Sequence, residues 1–285
     1  MEEANQKHIE YPPKLKQMVD KALEDPEGFW ANAVDELHWF KRWDRVFEWD
    51  HGTKPFRWFV GGITNISYNC VDYNALNGRG NHAAIIWESG ETGETRVITY
   101  NQLLYEVKRL AATLKALGVE KGDRVAIYMP MVPEAAIAML AVTRIGAIHS
   151  VVFAGFGSTA LADRITDTGS KMVLTADVGY RRGKIVELKN VLDEALKTPN
   201  DVQKVVVLKR SSKDTPMTEG RDIYWDKALD LGKGINPDAV PMLSDELAFI
   251  LYTSGTTAKP KGTVQTHGGY QAYIYAMGKW VYDLK

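Results

Sequence analysis

From residue 82 onward, short apolar runs alternate with longer stretches of helical periodicity, and that alternation restricts the fold more than any other feature of the chain. Residues 83–88 read as a strand and 91–94 as a turn. Thr99 then caps a helix whose Leu103, Leu104, Val107, Leu110, Ala111, Leu114 and Leu117 keep helical spacing up to Gly118. The order repeats: strand 123–129 ended by Pro130, helix 134–145 begun by Pro133 and closed by Gly146, strand 147–153, helix 158–167, strand 171–177, helix 185–197 and strand 204–209. Residues 210–245 read as surface connections around one short helix at 224–229. Strand 247–252, a polar loop, strand 263–266 and an aromatic-rich helix over 268–284 complete the chain. Strands alternating with helices predict an α/β fold, a mostly parallel, doubly wound sheet covered on both faces.

The polar loop is Tyr252-Thr-Ser-Gly-Thr-Thr-Ala-Lys-Pro-Lys-Gly262. It gathers the hydroxyls of Thr253, Ser254, Thr256 and Thr257, the glycines Gly255 and Gly262, and the lysines Lys259 and Lys261. Small hydroxyl and glycine residues let several backbone N–H groups point at one anion, and lysines add point charge. The loop is therefore a candidate phosphate cradle. It is not the Walker pattern, because counting five on from Gly255 lands on Pro260 where that pattern needs glycine.

Composition narrows the partners. At 285 residues and 45% hydrophobic, the chain has ample core for one or two domains, and a formal net charge of −1 gives no global field for nucleic acid or an anionic membrane. Cys70 is the only cysteine, which excludes an intramolecular disulfide and points to a reducing cytoplasm. The six histidines show no paired spacing for a metal, and no run reaches the length of a membrane span. The N-terminus is acidic and polar, unlike a signal peptide. Oligomeric state is not legible.

Two other stretches stand out. Residues 1–80 are dense in Trp and Phe, with bases between aromatics in Trp39-Phe-Lys-Arg-Trp-Asp-Arg45. Such a surface can stack single-stranded nucleic acid, but acids alternate with the bases, and this density favours packing against a neighbouring domain. Gly155-Phe-Gly157-Ser-Thr-Ala160 fits a dinucleotide-binding pattern, with Asp177 ending the next strand, so a Rossmann-type NAD(P)-binding oxidoreductase is an alternative. That alternative leaves the 253–262 loop without a task. A right-handed crossover brings the ends of strands 147–153 and 171–177 to one sheet edge, where loop 154–158 would face Val178-Gly-Tyr-Arg-Arg-Gly-Lys184. Arg181, Arg182 and Lys184 could there converge on an anion. Tyr180 could stack on a base or simply pack.

The 252–262 string resembles the phosphate loop of the adenylate-forming superfamily, the acyl-CoA synthetases, peptide-synthetase adenylation domains and luciferases. It departs once, with Ala258 where glycine is usual. Trp39 to Asp44, Trp58 to Gly62, Ser67 to Cys70, residues 122–131 and residues 144–153 are similar to the acetyl-CoA synthetase branch. The resemblance implies the N-terminal part of that fold, an extension over residues 1–80 and the first part of the AMP-binding domain over 81–285. It implies ATP with Mg2+, CoA and acetate or another short-chain acid as small-molecule ligands, and no nucleic acid or membrane partner. It puts Lys261 in a catalytic position, with Thr253, Ser254, Gly255, Thr256, Thr257, Lys259 and Gly262 on the ATP phosphates. Phe153, Gly155, Arg181, Arg182, Gly183 and Lys184 would bind CoA, with lysine at 184 replacing a more usual arginine. Adenine, ribose and metal ligands would lie beyond Lys285, so these residues alone would not complete the reaction. A noncatalytic CoA- or nucleotide-binding module is the other alternative.

Overall fold

The computed structural model describes residues 12–49, 56–253 and 260–284. Helices α1 (Pro13–Glu24) and α2 (Pro26–Ala33) each open on a proline, whose fixed φ and missing N–H suit a first turn. Strands β1 (Arg45–Trp49) and β2 (Phe56–Val60) pair antiparallel, and β3 (Ile63–Thr64) follows. Trp39, Trp43 and Phe59 meet ring to ring with centroids 4.9 to 5.2 Å apart. Together with Trp30, Val34 and Trp58 they close over Ala272, late in the chain. The aromatic-rich stretch thus turns inward, while Lys41 and Arg42 are spent on Asp44 and Asp35. Two π-helical turns, Tyr68–Asp72 and Ala75–Arg79, lead on, and Cys70 is exposed there.

Strands β4 (Ala83–Glu88) and β5 (Thr95–Thr99) form a hairpin that feeds α3 (Tyr100–Ala116). Thr99 caps this helix reciprocally with Gln102: the Gln102 amide donates to Thr99 Oγ1 at 3.3 Å and the Thr99 amide to Gln102 Oε1 at 2.9 Å. Then come β6 (Arg124–Tyr128), α4 (Pro133–Arg144), β7 (Ile148–Val151), α5 (Ser158–Thr168) and β8 (Met172–Ala176). A small hairpin, β9 (Gly179–Arg181) and β10 (Lys184–Val186), precedes α6 (Leu188–Ala195) and β11 (Lys204–Leu208). Strand β12 (Asp222–Tyr224), α7 (Trp225–Leu231), β13 (Met242–Leu243), β14 (Leu247–Thr253), β15 (Lys261–Thr266) and α8 (His267–Trp280) follow.

Seven strands make the main sheet in the order β12-β11-β8-β6-β7-β14-β15, all parallel except β15. Alternate residues of each strand serve opposite faces. Val125 and Ile127 join α3, α4 and α7 in one core, while Ala126 and Tyr128 join α5 and α6 in the other. The sheet is doubly wound, as the alternation of elements predicts. The residues that precede the sheet are pinned to it by Asp72, which receives the buried Arg144 guanidinium through two bonds of 2.6 and 2.9 Å. Removing one partner of such a pair strands the other charge without solvent, at a cost of roughly 3–5 kcal/mol.

Two expectations need correction. The helix expected over 185–197 begins only at Leu188, because Ile185 pairs with Tyr180 and Val186 with Gly179 in the β9–β10 hairpin. The supposed surface connection 210–245 contributes β12, a parallel edge strand on β11.

Candidate functional site

Strands β8, β6, β7 and β14 lie side by side and end on one edge of the sheet, where open α/β sheets collect ligands. Loop 153–157 leaves β7, and residues 254–259 follow β14, its hydrogen-bonded neighbour. The two stretches singled out in the sequence therefore issue from adjacent strands.

Loop 153–157 is held from beneath. Tyr128, buried at the end of β6, donates its hydroxyl to the Phe156 carbonyl at 2.8 Å and reaches that of Ala154 at 3.4 Å. Burial pushes this phenol up to about 12, so it stays a donor at ordinary pH. Phe153 and Phe156 meet edge to face at 5.6 Å. Gly155 is required for close approach: a Cβ there would stand 2.4 Å from Phe153 Cε1 and 2.5 Å from Arg181 Nη1. The Arg181 guanidinium in turn lies over the Phe153 ring, 5.2 Å from its centroid.

Arg181 arrives on the β9–β10 hairpin, whose tip residues Arg182 and Gly183 have φ of 52° and 71°. Two successive positive φ values mark the mirror-image turn that suits the twist of a two-residue hairpin. Lys184 is the register partner of Arg181, which puts both cations on one face of the ribbon. The amides of Arg182 and Gly183 donate to the Glu91 carboxylate, the second at 2.8 Å. A carboxylate of the β4–β5 turn thus takes the position that an external anion would find attractive.

Between these parts lies a cavity of about 500 Å3, walled by Trp87, Glu91, Phe153, Gly155, Tyr180, Arg181 and Arg210 among others. The Trp87 indole is fixed by a 2.7 Å bond to the Met131 carbonyl. One face of Tyr180 is covered by the Arg210 guanidinium at 5.2 Å, and its hydroxyl donates to the Arg210 carbonyl at 3.3 Å. Two guanidinium groups and flat apolar walls suit a ligand that carries both an anion and a ring. Phe153, Gly155 and Arg181 line this cavity. Lys184 stands beside Arg181 outside it, whereas Arg182 and Gly183 shape the turn. Trp87, Glu91 and Arg210 escaped the sequence reading, since they come from distant segments and share no spacing with the glycine loop.

Asp177 does not stand free for a ribose. Its Oδ1 accepts the amides of Val178 and Arg210, both at 2.7 Å, and its Oδ2 accepts the Ser211 amide at 3.0 Å and hydroxyl at 2.8 Å. The carboxylate is buried and fully used in tying β8 to the residues after β11.

At the other loop, Thr253 and Lys261 are register partners at the open end of the β14–β15 pair, and Gly262 faces Tyr252. Thr253, Lys261 and Gly262 are exposed. Ser254, Gly255, Thr256, Thr257 and Lys259, with Ala258, lie outside the described residues. Tyr252 donates its hydroxyl to Asp167 of α5, and burial together with that bond raises its pKa. Among the described residues no group of three or more His, Cys, Asp or Glu side chains is placed to hold a metal ion. Nor, among them, is any helix long and apolar enough to cross a membrane.

Comparison with known proteins places the chain in a family. The family profile described as AMP-binding enzyme matches residues 72–284, and that of the acetyl-coenzyme A synthetase N-terminus matches residues 15–70. The chain is 49% identical over 268 residues to the acetyl-coenzyme A synthetase of Rubrobacter xylanophilus, covering 94% of this chain and 41% of the relative. It is 52% identical over 273 residues to the 3-hydroxypropionyl-coenzyme A synthetase of Sulfurisphaera tokodaii, with the same 94% and 41% coverage. The structure of an acetoacetyl-CoA synthetase from Streptomyces lividans superimposes with a TM-score of 0.83 at 25% identity, covering 93% of this chain and 40% of that one. The chain therefore spans about two fifths of the length of these relatives.

Proposed function

Because the chain belongs to the AMP-binding enzyme family, we propose that the protein carrying these residues ligates acetate, or another short-chain acid, to CoA through an acyl-adenylate. A carboxylate oxygen of the acid attacks the α-phosphorus of Mg-ATP, and pyrophosphate departs. The CoA sulfur then attacks the acyl carbonyl carbon, and AMP departs. The acid is already a nucleophile, so the protein must supply alignment and charge neutralisation. Thr253, Ser254, Gly255, Thr256, Thr257, Lys259 and Gly262 would hold the β- and γ-phosphates, and Lys261 would offset the charge that gathers as pyrophosphate leaves. Magnesium would arrive with the triphosphate as part of the substrate.

In the same reading, Phe153, Gly155, Arg181 and Lys184 receive the nucleotide end of CoA, with Arg182 and Gly183 setting the hairpin that presents the cations. The observation that carries it is the emergence of loop 153–157 and of residues 254–259 from neighbouring parallel strands on one edge. Relatives named for acetate and for 3-hydroxypropionate match almost equally well, so the acid is assigned as short and not further. The single exposed cysteine suits a reducing cytoplasm, where ATP and CoA are made.

The test uses the enzyme that carries these residues. Acetate-dependent ATP–pyrophosphate exchange should collapse in Lys261→Ala, whereas Arg181→Ala should raise the KM for CoA and spare exchange. Undiminished exchange in the first variant, or equal damage to both half-reactions in the second, would defeat the assignment. Comparing acetate, propionate and 3-hydroxypropionate in the same exchange assay identifies the acid.

A further inference from the structure

Arg164 lies on α5, the helix that starts where loop 153–157 ends, and it is only 8% exposed. Its guanidinium sits over two rings at once, 4.6 Å from the centroid of Phe156 and 5.2 Å from that of Tyr252. The first ring belongs to loop 153–157. The second is the penultimate residue of β14, at the root of 254–259. Arg164 spends one donor on the Ala160 carbonyl at 2.6 Å, and its guanidinium lies over the two rings. Two aromatic faces thus lie against its charge. Three residues on, Asp167 takes the Tyr252 hydroxyl. One helix thus holds Tyr252 at its ring and at its oxygen, and reaches back to the loop that precedes it.

We propose that Arg164 is a positioning residue that couples the two loops, so that ordering loop 153–157 also orders the stem of residues 254–259. The physical basis is the breadth of the planar guanidinium, which lies over both rings, while a compact ammonium is a single point charge on a flexible stem. When a ligand fixes one ring, Arg164 loses freedom, and the second ring has less left to lose. Adenylate formation and thiol delivery would in this way be linked through a single buried side chain instead of through the sheet. The ligand arm of the test rests on the CoA reading of loop 153–157; the first arm does not.

In the first arm, amide hydrogen exchange of the 285-residue chain is compared for wild type, Arg164→Lys and Phe156→Leu. The Phe156 amide, bonded to the Phe153 carbonyl at 3.0 Å, and the rung between Thr253 and Lys261 report the two sides. Arg164→Lys should speed exchange on both sides by about fivefold, the scale of one lost cation–π contact. Faster exchange on one side only, or a lysine variant that matches wild type, overturns the proposal. Phe156→Leu alters an exposed ring without opening the core, so it keeps the test readable should position 164 prove intolerant, and it must loosen loop 153–157 and abolish the coupling below.

In the second arm, adenosine 3′,5′-bisphosphate serves as the probe. Saturating probe should slow exchange at residues 252–253 and 261–263 in wild type and leave both variants unchanged there. If the probe binds wild type without slowing those amides, coupling is refuted and the CoA site stands. If the probe does not bind at all, the CoA reading fails, and the first arm alone decides on Arg164.

Discussion

Gly155→Ala isolates the contact between the glycine loop and the arginine hairpin. Gly155 does not occupy the left-handed region, so alanine is conformationally admissible and the cost is purely one of space. The new methyl would meet Phe153 Cε1 at 2.4 Å and Arg181 Nη1 at 2.5 Å, and each must retreat by roughly 1 Å to reach van der Waals distance. Both obstacles are ends of side chains, one of them on an exposed ring, so the fold survives. What fails is the stacking of Arg181 on Phe153, about 0.5–1 kcal/mol, and the aim of its guanidinium at an anion, about 1.5–3 kcal/mol for a charge-assisted bond. Together these are roughly 2–4 kcal/mol, or about thirtyfold and upward in affinity. Calorimetric titration with CoA and with adenosine 3′,5′-bisphosphate reads the effect, and a thermal melt controls for folding. In an Arg181→Ala background the same substitution should be nearly silent, because its target is already gone. Wild-type affinity with an unchanged Tm, or full additivity with Arg181→Ala, would refute the reasoning.

Asp177→Ala should destabilise the chain by about 3–5 kcal/mol, since it leaves the amides of Val178, Arg210 and Ser211 without their acceptor; urea unfolding checks this, and a loss under about 1 kcal/mol would contradict the role of Asp177 as a latch. Stability should also fall as pH drops below neutrality. Burial, aided by His267 for His149 and by Lys121 for His267, lowers both imidazoles to about 3. The unfolded chain therefore takes up protons near pH 6.5 that the native state refuses, and stability present above that pH is lost progressively down to about 3. At pH 5 the loss should be about 2 kcal/mol for each histidine, and His149→Gln should roughly halve the slope of stability against pH. An unaltered slope would show that His149 takes up a proton in the folded state.

Where the sequence pattern is local, the structure follows it closely. Thr99 announces a helix start because the cap is made within four residues, and Val125, Ala126, Ile127 and Tyr128 announce a strand buried on both faces. Gly155 and Arg181 line one cavity, as the sequence reading of two loops at a common sheet edge expected, because parallel crossovers bring strand ends together. Arg210 was not, since its place over Tyr180 depends on Asp177 gathering its amide from 33 residues away. Trp87 and Glu91 come from a hairpin that precedes the sheet, and no periodicity ties them to it. Ile185 and Val186 continue an amphipathic pattern into α6, so helical spacing concealed their pairing with β9; the telling signal was Gly183 after Arg182 at a turn. Strand β12 has three residues, too few for any alternation to register.

Glu91 leaves a last consequence. By resting on the amides of Arg182 and Gly183, it acts as a resident occupant that small free anions must evict before they can lodge at the hairpin tip. In the proposed site, inorganic phosphate, plentiful in any cell that spends ATP, would thus be kept off these amides and meet only side-chain cations. A ligand that brings its own aromatic ring gains a foothold on the walls that phosphate lacks. In the proposed site, selectivity against the commonest competitor would rest on a contact within the protein, between Glu91 and two hairpin amides.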